Sequence, residues 1–361
     1  MFLQKSPLFS LQNARCGLGY SRNYGKSDFS RKGNIMKDSL ALGIDLGGSK
    51  IYAVVTDPDD KVLASAKLPT PADAAPEIII RTMLETAGNA LEKLNLKLDD
   101  VSCIGAAFPS PVDPATGDCT FATNLGGRSF SAKAIFRELT GRDVSLGNDG
   151  DLGTLAEFRR DGNDSEKSLI GFFIGTGLGG GIILDGKLLE GNSGMAAELG
   201  HMIVRKGGRR CGCGHRGCIE AYCSKVAFVK AIQKGIRQRN CQTLLPPDKF
   251  TLESTNIKSK YLSKAYRGRD PLVCEVIDKG AVMLGIAAAS VCAVVAPERI
   301  VLGGGVIDSM GDVILPVFRK SFEKHLFGLS PDKIKISLSS YGDDAVATGA
   351  AILARQQKGV R

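Results

Sequence analysis

The chain has 361 residues, 43% hydrophobic and 24% charged, which is ample for two domains with packed cores. Its net charge of +9 is concentrated in residues 1–37, where Lys5, Arg15, Arg22, Lys26, Arg31, Lys32 and Lys37 face the single acid Asp28, leaving only +3 for the rest. That near-balance argues against a nucleic-acid-binding surface, and no sustained apolar core ahead of a small-residue cleavage site marks a secretory signal.

The basic segment, rich in Ser, Asn and Arg, reads as a disordered tail, as sequence upstream of a start at Met36, or as an organellar transit peptide. The first clear strand is Leu40–Asp45, followed by Gly47, Gly48 and Ser49 and then by a second strand, Lys50–Thr56. Val62–Lys67 predicts a third strand, Glu77–Leu94 a helix, and Val101–Phe108 a return to strand. Three meandering strands followed by helix and strand crossovers predict a mixed sheet flanked by helices.

The plan then recurs. Leu169–Ile174 is a strand, Gly175–Gly181 a glycine turn and Ile182–Leu184 a strand again, so two strand–turn–strand units lie roughly 130 residues apart. A helix after Cys218, a polar basic stretch around 233–270, a long helix from about Pro271, a strand at Arg299–Leu302 and a last helix near Asp344–Ala354 complete the chain. The apolar run Ala281–Ala296 is shorter than the ~20 residues a bilayer span needs and reads as buried helix. The expected domain boundary falls near Asn148.

Glycine lets backbone N–H groups approach phosphate oxygens, and successive N–H groups form anion-binding nests. Asp45, Gly47, Gly48, Ser49 and Lys50 form one candidate phosphate site, in which the acid can also hold hydrated Mg²⁺. Thr176, Gly177 and Gly179 belong to a second, able to close on the same phosphates from the other domain. Gly303, Gly304 and Gly305 follow an apolar strand and offer a face for adenosine. Each turn alone reads equally as a tight hairpin; the pairing favours a nucleotide. A strand after the glycines, where a dinucleotide fingerprint requires a helix, and the missing Gly-Lys-Ser/Thr ending argue against the two common alternatives.

Ten cysteines, four of them between Cys211 and Cys223, suggest a metal site in a reducing compartment. His201, Cys211, Cys213 and Cys218 supply three thiolates and an imidazole, the donor set of closed structural zinc, with His215 and Cys223 as rival ligands. Four protein ligands leave no open position for Lewis-acid catalysis, so the metal's expected work is to brace the loop.

These motifs together resemble the ROK family of sugar kinases and sugar-responsive repressors, and the resemblance runs from about Leu40 to Ala354. Its most specific piece is Glu198-Leu-Gly-His201 followed by Cys211-Gly-Cys-Gly-His-Arg-Gly-Cys-Ile-Glu220; Asp45–Lys50 and Gly175–Gly181 match the phosphate motifs. The resemblance implies a two-lobed actin-like ATPase (ribonuclease H-like) α/β fold with mixed sheets and a zinc-binding loop. The lobes would span 39–147, with the C-terminal helix 343–357 packed back on it, and 148–342; 1–38 would be tail. It implies phosphorylation of a hexose by ATP with Mg²⁺, glucose and its 6-hydroxyl being the default and fructose or N-acetylated hexosamines the alternatives. A cytoplasmic homodimer or homotetramer, bound to neither nucleic acid nor membrane, would follow.

Residue by residue, Asp149 would be the catalytic base, although an isolated Asp there reads as readily as a cap for a helix starting near Asp151. Asn124, Asn148, Glu198, His201 and Glu220 would bind the other ring hydroxyls, His201 using one nitrogen for zinc and the other for sugar. Three departures stand out. Gly150 and Asp151 replace the usual Ala-Asn after the base, Ala197 stands where Gly is common, and Gly127-Arg128 follow Asn124 where many such kinases carry an aromatic. Two other classes were weighed: a sugar-responsive regulator, for which the N-terminal segment lacks a two-helix DNA-binding pattern, and an actin-like structural ATPase, in which a zinc loop has no purpose.

Overall fold

The computed structural model describes residues 39–71, 73–119, 129–160 and 165–359; the expected tail and Asn124 lie outside them, as do Gly127 and Arg128. Strands β1 (Ala41–Leu46), β2 (Lys50–Thr56) and β3 (Val62–Pro69) form an antiparallel meander, and helix α1 (Pro76–Glu92) packs on β2 and β3. β4 (Cys103–Phe108) then pairs parallel to β1. A two-residue pair, β5 (Asp118–Cys119) and β6 (Phe130–Ser131), precedes α2 (Ala132–Thr140). β7 (Ser145–Asn148) closes the sheet in the order β3-β2-β1-β4-β7.

The second half repeats this wiring. After α3 (Asp149–Arg159) come β8 (Leu169–Ile174), β9 (Leu178–Leu184) and β10 (Lys187–Leu188), another antiparallel meander. Helices α4 (Lys225–Arg239), α5 (Ser259–Arg267) and α6 (Pro271–Val295) lead to β11 (Arg299–Gly303), α7 (Gly305–His325), β12 (Lys335–Leu338) and α8 (Ala345–Lys358). The sheet order is β10-β9-β8-β11-β12, with β8–β11 and β11–β12 parallel, so each sheet has the same succession of hairpin and crossover strands. The duplication expected from the two strand–turn–strand units is present in the strand order.

α3 and α8 pack on each other, and α8 lies across β1 and β4. Small residues permit this: a β-carbon at Gly43 would collide with the Ala347 carbonyl, and one at Gly105 with that of Ala350. Leu152, Leu155, Ala350 and Leu353 fill the space between them.

Two expectations need correction. Gly179, Gly180 and Gly181 are strand residues of β9, paired with Phe173, Phe172 and Gly171, and the turn proper is Gly175–Gly177. Close packing holds two of them as glycine: a β-carbon at Gly181 would stand 2.7 Å from the Thr154 hydroxyl and 2.9 Å from the Asp151 Cα of α3, and one at Gly180 would meet the Gly171 carbonyl and Leu199. The apolar run from Ala281 is the second half of the 25-residue α6, which among the described residues is the helix long and apolar enough to cross a membrane. Its Leu284 and Ala288 are instead buried in one core with Phe318 and Phe322 of α7.

Candidate functional site

A cleft of about 1810 Å³ collects nearly every described residue singled out in the sequence. Asp45, Gly47, Gly48, Ser49 and Lys50 line it from the first sheet; Asn148 and Asp149 form its floor; Thr176, Gly177, Gly179, Gly304 and Gly305 line it from the second. Glu198, His201, Cys211, Cys213 and Glu220 belong to the same cleft. Gly303 lies just behind it, at the end of β11 against the Phe173 ring.

The first turn is held from within. The Gly47 amide donates to the Lys50 carbonyl at 3.0 Å, and the Thr70 hydroxyl donates to the Gly47 carbonyl at 2.7 Å. Gly48 has no neighbour where a side chain would go and faces open space. Lys50 is not free: its ammonium lies 2.6 Å from Asp343, an acid that sequence reasoning passed over. Gly304, at φ +86°, caps α7 without any side-chain hydrogen bond, and Gly304, Gly305 and Asp308 of that helix start line the cleft.

Asn148 is the N-cap of α3. Its side-chain oxygen accepts from the Gly150 amide at 2.8 Å and from the Asp151 amide at 3.4 Å. The capping role considered for Asp149 therefore belongs to its neighbour, and α3 starts at Asp149 itself. The Asp149 carboxylate accepts one bond, from Gly150 N at 2.8 Å. Burial raises the Asp149 carboxyl to about 6, with the charge of Glu198 adding to the rise and the Gly150 amide opposing it.

Burial and then the charge of Asp149 push Asp45 up to about 7, against the pull of Lys50. Asp308, on the first turn of α7, is raised to about 6 by burial and by Asp343. Asp45, Asp149, Asp308 and Asp343 line the same cleft, and carboxylate oxygens are the donors that Mg²⁺ takes. The signal that could have found Asp308 and Asp343 is their place just after a glycine at a helix start.

His201, Cys211, Cys213 and Cys218 offer four donor atoms within 4.8 Å of one another. The Cys213 and Cys218 sulfurs are 3.7 Å apart, matching the edge of about 3.8 Å that a tetrahedron with zinc–sulfur bonds of about 2.3 Å requires. His201 turns Nδ1 to the Cys211 sulfur at 3.8 Å and Nε2 to Glu198 at 4.0 Å, so one ring faces both groups. The donor set fits zinc. Cys223 is buried in the core, and neither it nor His215, whose Nδ1 lies 3.7 Å from the Cys213 sulfur, belongs to the group among the described residues.

Ala197 adopts φ +57°, the left-handed region that favours glycine, immediately before Glu198. The departure noted at this position is thus a strained residue that aims the next carboxylate. Burial raises Glu198; His201 lowers it and Glu220 raises it.

Residues 41–357 match the ROK family. The chain is 29% identical over 325 residues to a glucokinase of Halalkalibacterium halodurans, covering 90% of this chain and 97% of that one. It is 27% identical to an N-acetylmannosamine kinase of Citrobacter koseri, with 88% and 99% covered. The structure superposes with a TM-score of 0.76 on a ROK family glucokinase from Streptomyces griseus in complex with glucose and AMPPNP, at 32% identity over 88% of this chain and 99% of that one. The mixed sheets flanked by helices are those of the actin-like ATPase fold.

Proposed function

The chain belongs to the ROK family as an ATP-dependent carbohydrate kinase, and we propose that its acceptor is glucose, phosphorylated at the 6-hydroxyl with Asp149 as the base. One observation carries this reading: the half-buried Asp149 carboxylate lies on the floor of a cleft lined on one side by Gly47–Lys50 and on the other by Gly175–Gly179, with Glu198, His201 and Glu220 beside it.

Phosphoryl transfer needs little covalent chemistry from the protein; it needs positioning and electrostatic stabilisation. Backbone amides of the two glycine turns and of the α7 N-terminus would hold the phosphates. Asp45 would hold Mg²⁺, which supplies charge neutralisation on the phosphates when bound. Asp149 would accept the proton of the attacking hydroxyl, while Asn148, Glu198, His201 and Glu220 bind the other ring hydroxyls, Asn148 also capping α3. Asn124 keeps the sugar-binding role that the family resemblance implies. Zinc at His201, Cys211, Cys213 and Cys218 would brace the loop carrying Glu220. The division into lobes of 39–147 with helix 343–357, and of 148–342, belongs to the same proposal.

Glucose leads because glucokinases recur among the proteins similar to this chain; the similarity to an N-acetylmannosamine kinase keeps acetamido sugars as alternatives, and fructose stays one on the family resemblance. A coupled assay of ADP release over glucose, fructose, mannose and their acetamido derivatives tests the choice. The reading expects the highest kcat/KM with glucose; a higher value with an acetamido sugar would transfer the assignment to it, and no sugar-dependent ADP would reject it.

A further inference from the structure

The glycine turn on the phosphate side is tied to the cysteine-rich loop on the sugar side and to the helix that follows it. The Leu178 amide, at the end of the turn, donates to Glu220 Oε2 at 3.0 Å. Gly177 runs so close to that oxygen that a β-carbon there would collide with it. On the other flank Gly200, next to His201, lies against the Leu178 carbonyl, where a β-carbon would also collide. The Gly175 and Thr176 carbonyls accept from the Lys225 and Val226 amides at 3.0 and 3.3 Å, at the start of the helix that follows Glu220. The turn is therefore gripped on each side by backbone that carries or adjoins the zinc-type ligands.

Within that grip Glu220 is the only side chain bonded to the turn's amides among the described residues. Its other oxygen, Oε1, lies 3.4 Å from the Cys211 sulfur, on the side of the metal-ligand group. A carboxylate accepting a backbone N–H makes a charge-assisted bond, stronger than a neutral one, and a turn held this way does not have to be ordered by the ligand it receives.

We propose that Glu220 is a positioning residue for the phosphoryl donor as well as an acceptor-side group: by holding Leu178 N–H it keeps the Gly175–Leu178 turn in the shape that receives the nucleotide phosphates. The inference rests on the kinase reading above and adds that donor affinity is set from the sugar side of the cleft, before any sugar is present. A glutamine at this position keeps an acceptor oxygen for the amide while losing the charge; an alanine removes the acceptor.

The test is titration of Mg²⁺–AMPPNP, without sugar, into the zinc-loaded wild type, Glu220→Gln and Glu220→Ala, alongside amide hydrogen exchange over residues 175–181. The expected result is a loss of affinity of about 10-fold in Glu220→Ala and of less than about 3-fold in Glu220→Gln. Leu178 should exchange slowly in the wild type and in Glu220→Gln, and faster in Glu220→Ala, with the rest of the chain unchanged. Wild-type affinity in Glu220→Ala, equal losses in both variants, rapid Leu178 exchange in the wild type, or faster exchange throughout Glu220→Ala would each overturn the inference while leaving the kinase reading standing. A wild type that binds no AMPPNP would sink that reading and the inference together.

Discussion

Gly150 passes so close to Gly180 that a β-carbon on the former would stand 2.5 Å from the latter's amide nitrogen. The first turn of α3 is thereby pressed onto β9, and the carboxylate of Asp149, one residue earlier, is fixed over the floor of the cleft. Gly150→Ala should therefore force α3 away from the strand. The expected cost is about 1–3 kcal/mol of stability, as for other overpacked sites, together with a fall in kcat larger than the change in sugar KM. Urea denaturation and steady-state kinetics on the same variant read both.

The metal loop makes a second prediction. Cys211→Ser should lose zinc and weaken sugar binding together, because Glu220 follows on the same loop and His201 meets both the ligand group and Glu198. Metal analysis by mass spectrometry and calorimetric titration with glucose are the measurements. A wild type purified without zinc would reject the assignment of the ion, and a zinc-free variant with unchanged sugar affinity would reject the bracing role.

Ala197 yields a third. At φ +57° an alanine is strained by roughly 1–2 kcal/mol relative to glycine, while glycine loses more chain entropy on folding by roughly 0.5–1 kcal/mol. Ala197→Gly should therefore raise stability by up to about 1.5 kcal/mol in urea denaturation. Its effect on sugar KM reports how strongly this residue aims Glu198.

The acid limb of the rate profile follows from Asp149. With its carboxyl at about 6 and the base active only when ionised, kcat/KM should fall at least about 10-fold per pH unit below that value, and at limiting Mg²⁺ the protonation of Asp45, at about 7, should start the fall earlier. Stability has the opposite sign. The folded state holds the proton more tightly than the unfolded chain, whose value is near 3.8, so ionisation costs stability over that window and fully above it. Asp149→Asn should then be more stable than the wild type at pH 8 and nearly equal to it at pH 4, a comparison that denaturation at the two pH values makes.

The zinc-type ligands were legible because three of the four lie within eight residues and a local spacing carries the geometry. The duplicated plan was legible because β-branched runs punctuated by glycine recur in both halves. α3 was legible only as a helix start near Asp151, and its extent was not, since Gly150 to Glu157 are buried on every side and leave no polar face to mark a helical period. α7 was hidden by Pro316 and by a break at Met310. Glycines 179–181 look like turn in sequence because glycine signals both a sharp bend and a close packing, and their pairing with β8 is what makes them strand. The bond between Glu220 and Leu178 joins residues 42 apart and has no sequence signature.

The cleft floor is where the account is most exposed. Single-turnover transfer from ATP labelled on its γ-phosphoryl group, with glucose present, should place the label on the sugar 6-hydroxyl in the wild type. In Asp149→Asn the rate should fall by about 10²–10⁴-fold, the contribution of a positioned base. Label released as inorganic phosphate regardless of sugar, or wild-type transfer in the variant, would contradict it.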